Sequence, residues 1–157
     1  AAHLKLAQLE AEGKLKAVIT QNIDGLHQAA GSKNVWELHG SIHRNYCRKC
    51  GKFYDASYVK NADGVPRCEC GGLIKPDVVL YEEGLDSGVI EHSIRAICEA
   101  DTLIIGGTSL AVYPTACFID YFRGKHLVVI NKSATAKEVR AELTIAAPIG
   151  EVMKGLK

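Results

Sequence analysis

Apolar positions along this chain fall into two alternating patterns. Short runs rich in β-branched residues, Lys16-Ala17-Val18-Ile19-Thr20, Thr102-Leu103-Ile104-Ile105-Gly106 and Leu127-Val128-Val129-Ile130, stop abruptly at polar residues or glycine. Runs of that length and composition read as buried strands bounded by loops. Between them apolar residues return at helical spacing, as in Ile90, Ile94 and Ile97. The pattern predicts an opening helix with Ala2, Leu6 and Leu9 on one face, closed at Gly13, where a left-handed cap is common. It then predicts strands at 16–20 and through Val35-Trp36-Glu37-Leu38, a helix near 88–99, a strand at 102–106 and a helix near 115–123. A strand at 126–130, a short strand near 143–146 and a terminal helix from about 149 complete the series. Strands that alternate with helices pair in parallel through right-handed crossovers. The expected fold class is therefore α/β, with part of a Rossmann-like parallel sheet.

One stretch breaks the pattern. Residues 43–75 are rich in cysteine, glycine and charge and carry few periodic apolar positions, which marks a small module inserted between 1–42 and 76–157. Within it, Cys47-Arg48-Lys49-Cys50 and Cys68-Glu69-Cys70 form two close thiol pairs separated by seventeen residues. Four thiolates close a tetrahedron around zinc, and a module this small has little core to hold it otherwise. Cys47, Cys50, Cys68 and Cys70 are thus the expected ligands of one structural zinc ion in a ribbon-like module. With all four positions filled by protein, the ion keeps no open site for catalysis. His43 fits less well as a ligand. The second pair has a single intervening residue where two are commoner, and Gly71-Gly72 supplies backbone freedom for the tighter turn. A reduced or redox-active set of cysteines is the plainer alternative. Cys98 and Cys117 lie in helical patterns and read as small buried hydrophobes.

At 157 residues and 47% hydrophobic content, the chain is long enough for one domain with a sizeable core. Its net charge of +1 gives no general reason to bind nucleic acid or an anionic membrane. Arg44, Arg48, Lys49 and Lys52 read as a solvated face rather than a specific nucleic-acid site. No apolar run approaches the roughly 20 residues needed to span a bilayer, and no leader pattern opens the chain. Without an export signal the paired cysteines read as metal ligands, and a cytoplasmic location is expected.

Candidate chemistry gathers at the strand ends. Gln21, Asn22, Asp24 and His27 follow the first strand, His39-Gly40 follows the second, Gly107-Thr108-Ser109 follows the strand at 102–106, and Asn131 ends the strand after it. Open α/β sheets bind ligands outside the carboxyl ends of their strands, so several polar tips argue for one shared cleft. Each piece has a plainer reading: an Asx turn before Gly25, a tight strand-to-helix turn at 107–109, a structural histidine.

Taken together, the pieces resemble the sirtuins, NAD-dependent protein-lysine deacylases. The matching segments are TQNIDGLH (20–27), ELHG (37–40), the four cysteines, IKPDVVLYEE (74–83), GGTSLAVYP (106–114) and VVIN (128–131). The resemblance implies that His39 is the general base and that Asn22 and Asp24 act beside it in catalysis. It implies NAD contacts from Gln21, Asn22, Ile23, Asp24, His39, Gly107, Thr108, Ser109, Asn131, Lys132, Ser133 and Ile149. An acyl-lysine peptide would lie against Val78, Val79, Leu80, Tyr81 and Val112. The implied products are nicotinamide, free lysine and O-acyl-ADP-ribose, with the acyl oxygen attacking the nicotinamide ribose. Two departures stand out. The glycine-rich GAGxS loop and the PDFR stretch of the family are not found here, so a chain on its own is expected to bind NAD weakly. Tyr81-Glu82-Glu83 stands where the family often has Phe-Gly-Glu. A noncatalytic zinc-binding interaction module is the alternative of a different class.

Overall fold

The computed structural model describes residues 1–108, 115–132 and 141–156. In chain order its elements are α1 (Ala2–Ala11), β1 (Val18–Thr20), α2 (Leu26–Ala29), β2 (Val35–Glu37), β3 (Gly40–Cys47), β4 (Phe53–Asp55), α3 (Ala56–Lys60) and β5 (Ile74–Val78). They continue with α4 (Ser87–Glu99), β6 (Thr102–Gly106), a 3-10 helix (Thr115–Tyr121), β7 (His126–Ile130), β8 (Leu143–Ile145) and α5 (Ile149–Gly155). β1 pairs with β2 in parallel, Val18 opposite Val35, and β6, β7 and β8 form a second parallel set. Helices between parallel strands give the expected α/β class. The opening helix ends as its sequence implies, with Gly13 at φ +73°. The Glu10 carboxylate then ties α1 to the start of β2 by accepting from the backbone N–H groups of Lys33 and Asn34 at 2.9 and 2.7 Å.

The segment expected as a helix near 115–123 is a 3-10 helix over Thr115–Tyr121. Its buried residues include Ala116 and Ile119, three apart, which a three-residue turn eclipses on one face. Cys98 is exposed rather than buried, and Cys117 is only partly buried. The cause is rotation: Ile97 takes the inward face of α4 with 5% exposure, and its sequence neighbour is turned about 100° away.

The inserted segment is more ordered than its composition suggests. It carries an antiparallel sheet in the order β4-β3-β5, plus α3, whose first turn is capped by the Asp55 carboxylate accepting from Tyr58 N–H at 2.8 Å. β3 runs through residue 43 and β5 through residue 75, so both expected limits of the module fall inside strands. Two cores result. One joins Leu38, Ile97 and Phe118, with Ile19 and Leu103 packed on it. The other joins Cys47, Tyr54, Cys68 and Ile74. No described helix is long and apolar enough to cross a membrane.

Candidate functional site

Two tight backbone turns build the cysteine centre. In the first, Gly51 N–H donates to Cys47 O at 2.9 Å, and in the second Gly71 N–H donates to Cys68 O at 2.8 Å. Gly71 has φ +78°, the left-handed conformation expected of the tighter pair. Gly72 is needed for space instead, because a Cβ there would lie 2.6 Å from Cys47 Sγ. The four Sγ atoms all lie within 4.8 Å of one another, with 3.5 Å between Cys47 and Cys70, 3.6 Å between Cys50 and Cys68, and 3.5 Å between Cys50 and Cys70. A zinc tetrathiolate with bonds of about 2.3 Å has edges of about 3.8 Å, so the set is placed to bind one zinc ion. The Tyr54 hydroxyl donates to Cys68 Sγ at 3.0 Å and brings that thiol down to about 6, while the same bond pushes Tyr54 up to about 12. Thiolate, the ligand form, is thereby favoured at Cys68 at neutral pH. His43 takes no part in this set.

His39 lies in the short link between β2 and β3, behind Leu38, which is 2% exposed and anchored by its N–H to Thr20 O at 2.9 Å. His39 Nδ1 is 3.0 Å from Gln21 O. A carbonyl can only accept, so Nδ1 carries the hydrogen and the neutral ring presents Nε2 as its basic atom. Gly40, at φ +75°, makes the turn behind it, and a Cβ at this position would collide with the Asp77 carbonyl oxygen. The polar loop is sewn onto β3 by Ile42 N–H donating to Ile23 O at 3.1 Å and by His43 Nε2 at 2.9 Å from Asp24 O. Asp24 Oδ1 accepts from Leu26 N–H at 3.0 Å, forming the expected Asx turn and starting the unanticipated helix α2. Asn22 is exposed, whereas Gln21, Ile23 and Asp24 are half-buried. His27 packs edge-on against His3 at 4.6 Å, and burial together with that neighbour lowers its pKa.

A second group collects at the ends of β6 and β7. Gly107 has φ +64° and donates its N–H to Ile130 O at 3.2 Å, and Asn131 Nδ2 donates to Thr108 O at 3.1 Å. Open space lies where a Gly107 Cβ would point, and the Ile149 side chain packs against Gly106. Lys132 is exposed. Ser109, Val112 and Ser133 lie outside the described residues. The two groups are joined by the core that holds Leu38, Ile19 and Leu103.

Beside His39 runs the segment expected to hold a peptide. Gly40 pairs with Val78, and Val79 N–H donates to His39 O at 3.0 Å. Leu80 and Tyr81 project outward, Tyr81 fully exposed. Glu83 folds this corner by accepting from Leu80 N–H at 2.9 Å and pairing with Lys75 at 3.0 Å. Glu82, at φ +70°, is the one non-glycine residue with positive φ among the described residues. The bend of a glycine is kept without the glycine. Arg44, whose role the sequence does not reveal, bridges Glu37 at 2.7 Å and Asp77 at 2.8 Å. Lys52 likewise pairs with Glu69, so two of the four residues of the basic run are engaged with acids of their own chain.

The pattern that defines the Sir2 family matches residues 1–114. An NAD-dependent protein deacetylase of Clostridium acetobutylicum is 63% identical over 156 residues, covering 98% of this chain and 64% of the relative. The protein of the same description in Cutibacterium acnes is 51% identical over 157 residues, covering 100% of this chain and 64% of its own length. This chain thus spans less than two thirds of these curated relatives. Among solved structures, a Sir2 complex with a p53 peptide and NAD+ superposes with a TM-score of 0.90 at 38% identity, over 98% of this chain and 66% of that one. A Sir2 complex with the inhibitor EX-527, 2'-O-acetyl-ADP-ribose and deacetylated p53 peptide gives 0.91 at 40% identity, over 98% and 68%. On the family match over most of its length and on this shared fold, the chain belongs to the Sir2 family.

Proposed function

We propose that this protein is an NAD-dependent protein-lysine deacylase that acts in the cytoplasm on acyl-lysine proteins or peptides and releases nicotinamide, free lysine and O-acyl-ADP-ribose. The observation that carries the reading is His39: its ring is oriented by Gln21 O, and its own carbonyl is bonded to the strand edge at Val79. A base held beside an exposed strand edge suits chemistry on an extended peptide. The relatives described as NAD-dependent protein deacetylases, and the Sir2 complexes with NAD and peptide, support it.

The residues present fit both bound groups. The four thiols match a closed zinc site, whose contribution is to hold the module and not to catalyse. The open space over Gly107, beside the hydrogen bond from the Asn131 side chain to Thr108 O, suits a ribose. NAD, when bound, supplies the ribose that accepts the acyl group. His39 Nε2 would take a proton from a ribose hydroxyl as general base. Asn22 can donate and accept at once, and Asp24, with one oxygen committed to Leu26 N–H, keeps the other free to accept an amide hydrogen. Gln21 and Ile23 wall this end. Gly107, Thr108, Ser109, Asn131, Lys132, Ser133 and Ile149 form the adenosine end. Val78, Val79, Leu80 and Tyr81, with Val112, receive the peptide by strand addition, which gives affinity with little dependence on sequence. Residues 43–75 act as the zinc module, and 1–42 with 76–157 as the nucleotide-binding domain.

In the full-length protein, His39→Ala is expected to lower deacylation of an acetyl-lysine peptide by about 10²–10⁴-fold while circular dichroism stays unchanged. Near-normal turnover by the variant would remove His39 from the mechanism.

A further inference from the structure

Arg44 touches none of the residues assigned to NAD or peptide, yet it contacts the supports of both His39 and the peptide strand. β3 is irregular between Ser41 and Asn45, where its register against β5 shifts. Asn45, 1% exposed, closes the irregularity by donating to Ile42 O at 3.2 Å. From this stretch the Arg44 guanidinium reaches two ways: Nη1 to Glu37, the last residue of β2, and Nε to Asp77, next to Val78. Glu37 is 7% exposed in its side chain, so its carboxylate depends on that partner, whereas Asp77 is 46% exposed. A planar guanidinium can serve two carboxylates at fixed angles. An ammonium, a point charge on a flexible stem, cannot replace it in that geometry.

We propose that Arg44 is a positioning residue that fixes the strand leading to His39 against the strand edge at Val78–Tyr81, an inference that rests on the deacylase reading. Base and acyl-lysine are thereby kept in register across β3. Misplacement of reacting groups by about 1 Å can cost about a hundredfold in rate, so a clamp on their two supports matters to turnover more than to folding.

Asp77→Ala cuts the peptide arm and leaves Glu37 paired, so it should fold and melt like the parent. Arg44→Lys keeps a cation near Glu37 without spanning to Asp77. Each is expected to lower kcat several-fold and raise KM for an acetyl-lysine peptide, with KM for NAD unchanged. The double variant should be no worse than either single one, because both remove the same link. Unchanged kcat and peptide KM in both single variants, with an active parent, would overturn the proposal. Additive losses in the double variant would overturn it too. An unmutated full-length protein without turnover would instead refute the deacylase reading. The clamp is then read from the His39 ring NMR signals, which should shift in Asp77→Ala, and unchanged signals would overturn it.

Discussion

Glu82 occupies backbone space that L side chains avoid. With φ at +70° it holds the corner of the segment proposed to receive the peptide, and a left-handed conformation costs a non-glycine residue about 1–2 kcal/mol. Glycine removes that cost but loses more freedom on folding, so Glu82→Gly is expected to stabilise the protein by about 0.5–1 kcal/mol, measured by urea denaturation. The adjacent Glu83 has a different job. Its carboxyl is held below the ordinary value of 4.5 first by Leu80 N–H and then by Lys75. A depressed acid contributes its stabilisation above the unfolded value and loses it as pH falls through the lower folded value. Protection of the Leu80 amide, taken relative to its intrinsic exchange rate at each pH, should therefore hold at neutral pH and fall only below about 4.5, whereas in Glu83→Gln the acid-dependent step should be absent. An equal acid step in the variant would assign it to another group.

Among the elements, the two cysteine turns and β4 form one unit through Tyr54, whose hydroxyl bonds Cys68 and whose ring lies in the second core. Cys68→Ala removes a ligand and leaves that buried hydroxyl without its thiol partner. The variant is expected to bind no zinc and to lose the near-ultraviolet signal of the module's tyrosines, while the unaltered chain carries one equivalent by metal analysis. Well under one equivalent in the unaltered chain would refute the site. The ligand set was legible because thiol spacing along the chain maps directly onto a tetrahedron. The parallel strands were legible too, since continuous β-branched runs have few other uses. β3, β4 and β5 were not, because their residues alternate irregularly and are held by zinc-site turns and by pairing across long sequence separations. The same applies to Arg44: a charge reads as solvated until the fold brings Glu37 and Asp77 to it. Cys98 misled because one residue's offset on α4 decides between core and solvent.

Over the whole molecule, β3 starts two residues after Leu38 of the first core and ends inside the second. Its first residue, Gly40, follows His39 and pairs with Val78, and its last, Cys47, is buried among the thiols. The proposed base thus immediately precedes, and a thiol of the metal centre ends, a single strand of eight residues. Modular exchange between relatives is constrained by this. A foreign cysteine module spliced in at residues 43 and 75, where composition changes, would sever β3 and β5 mid-ladder and split the Arg44 clamp from the Ser41 end. Joints placed ahead of His39 and beyond Val79 would carry the whole ladder across intact, so the unit that recombination can transplant is larger than the unit that zinc defines, and it takes the histidine with it.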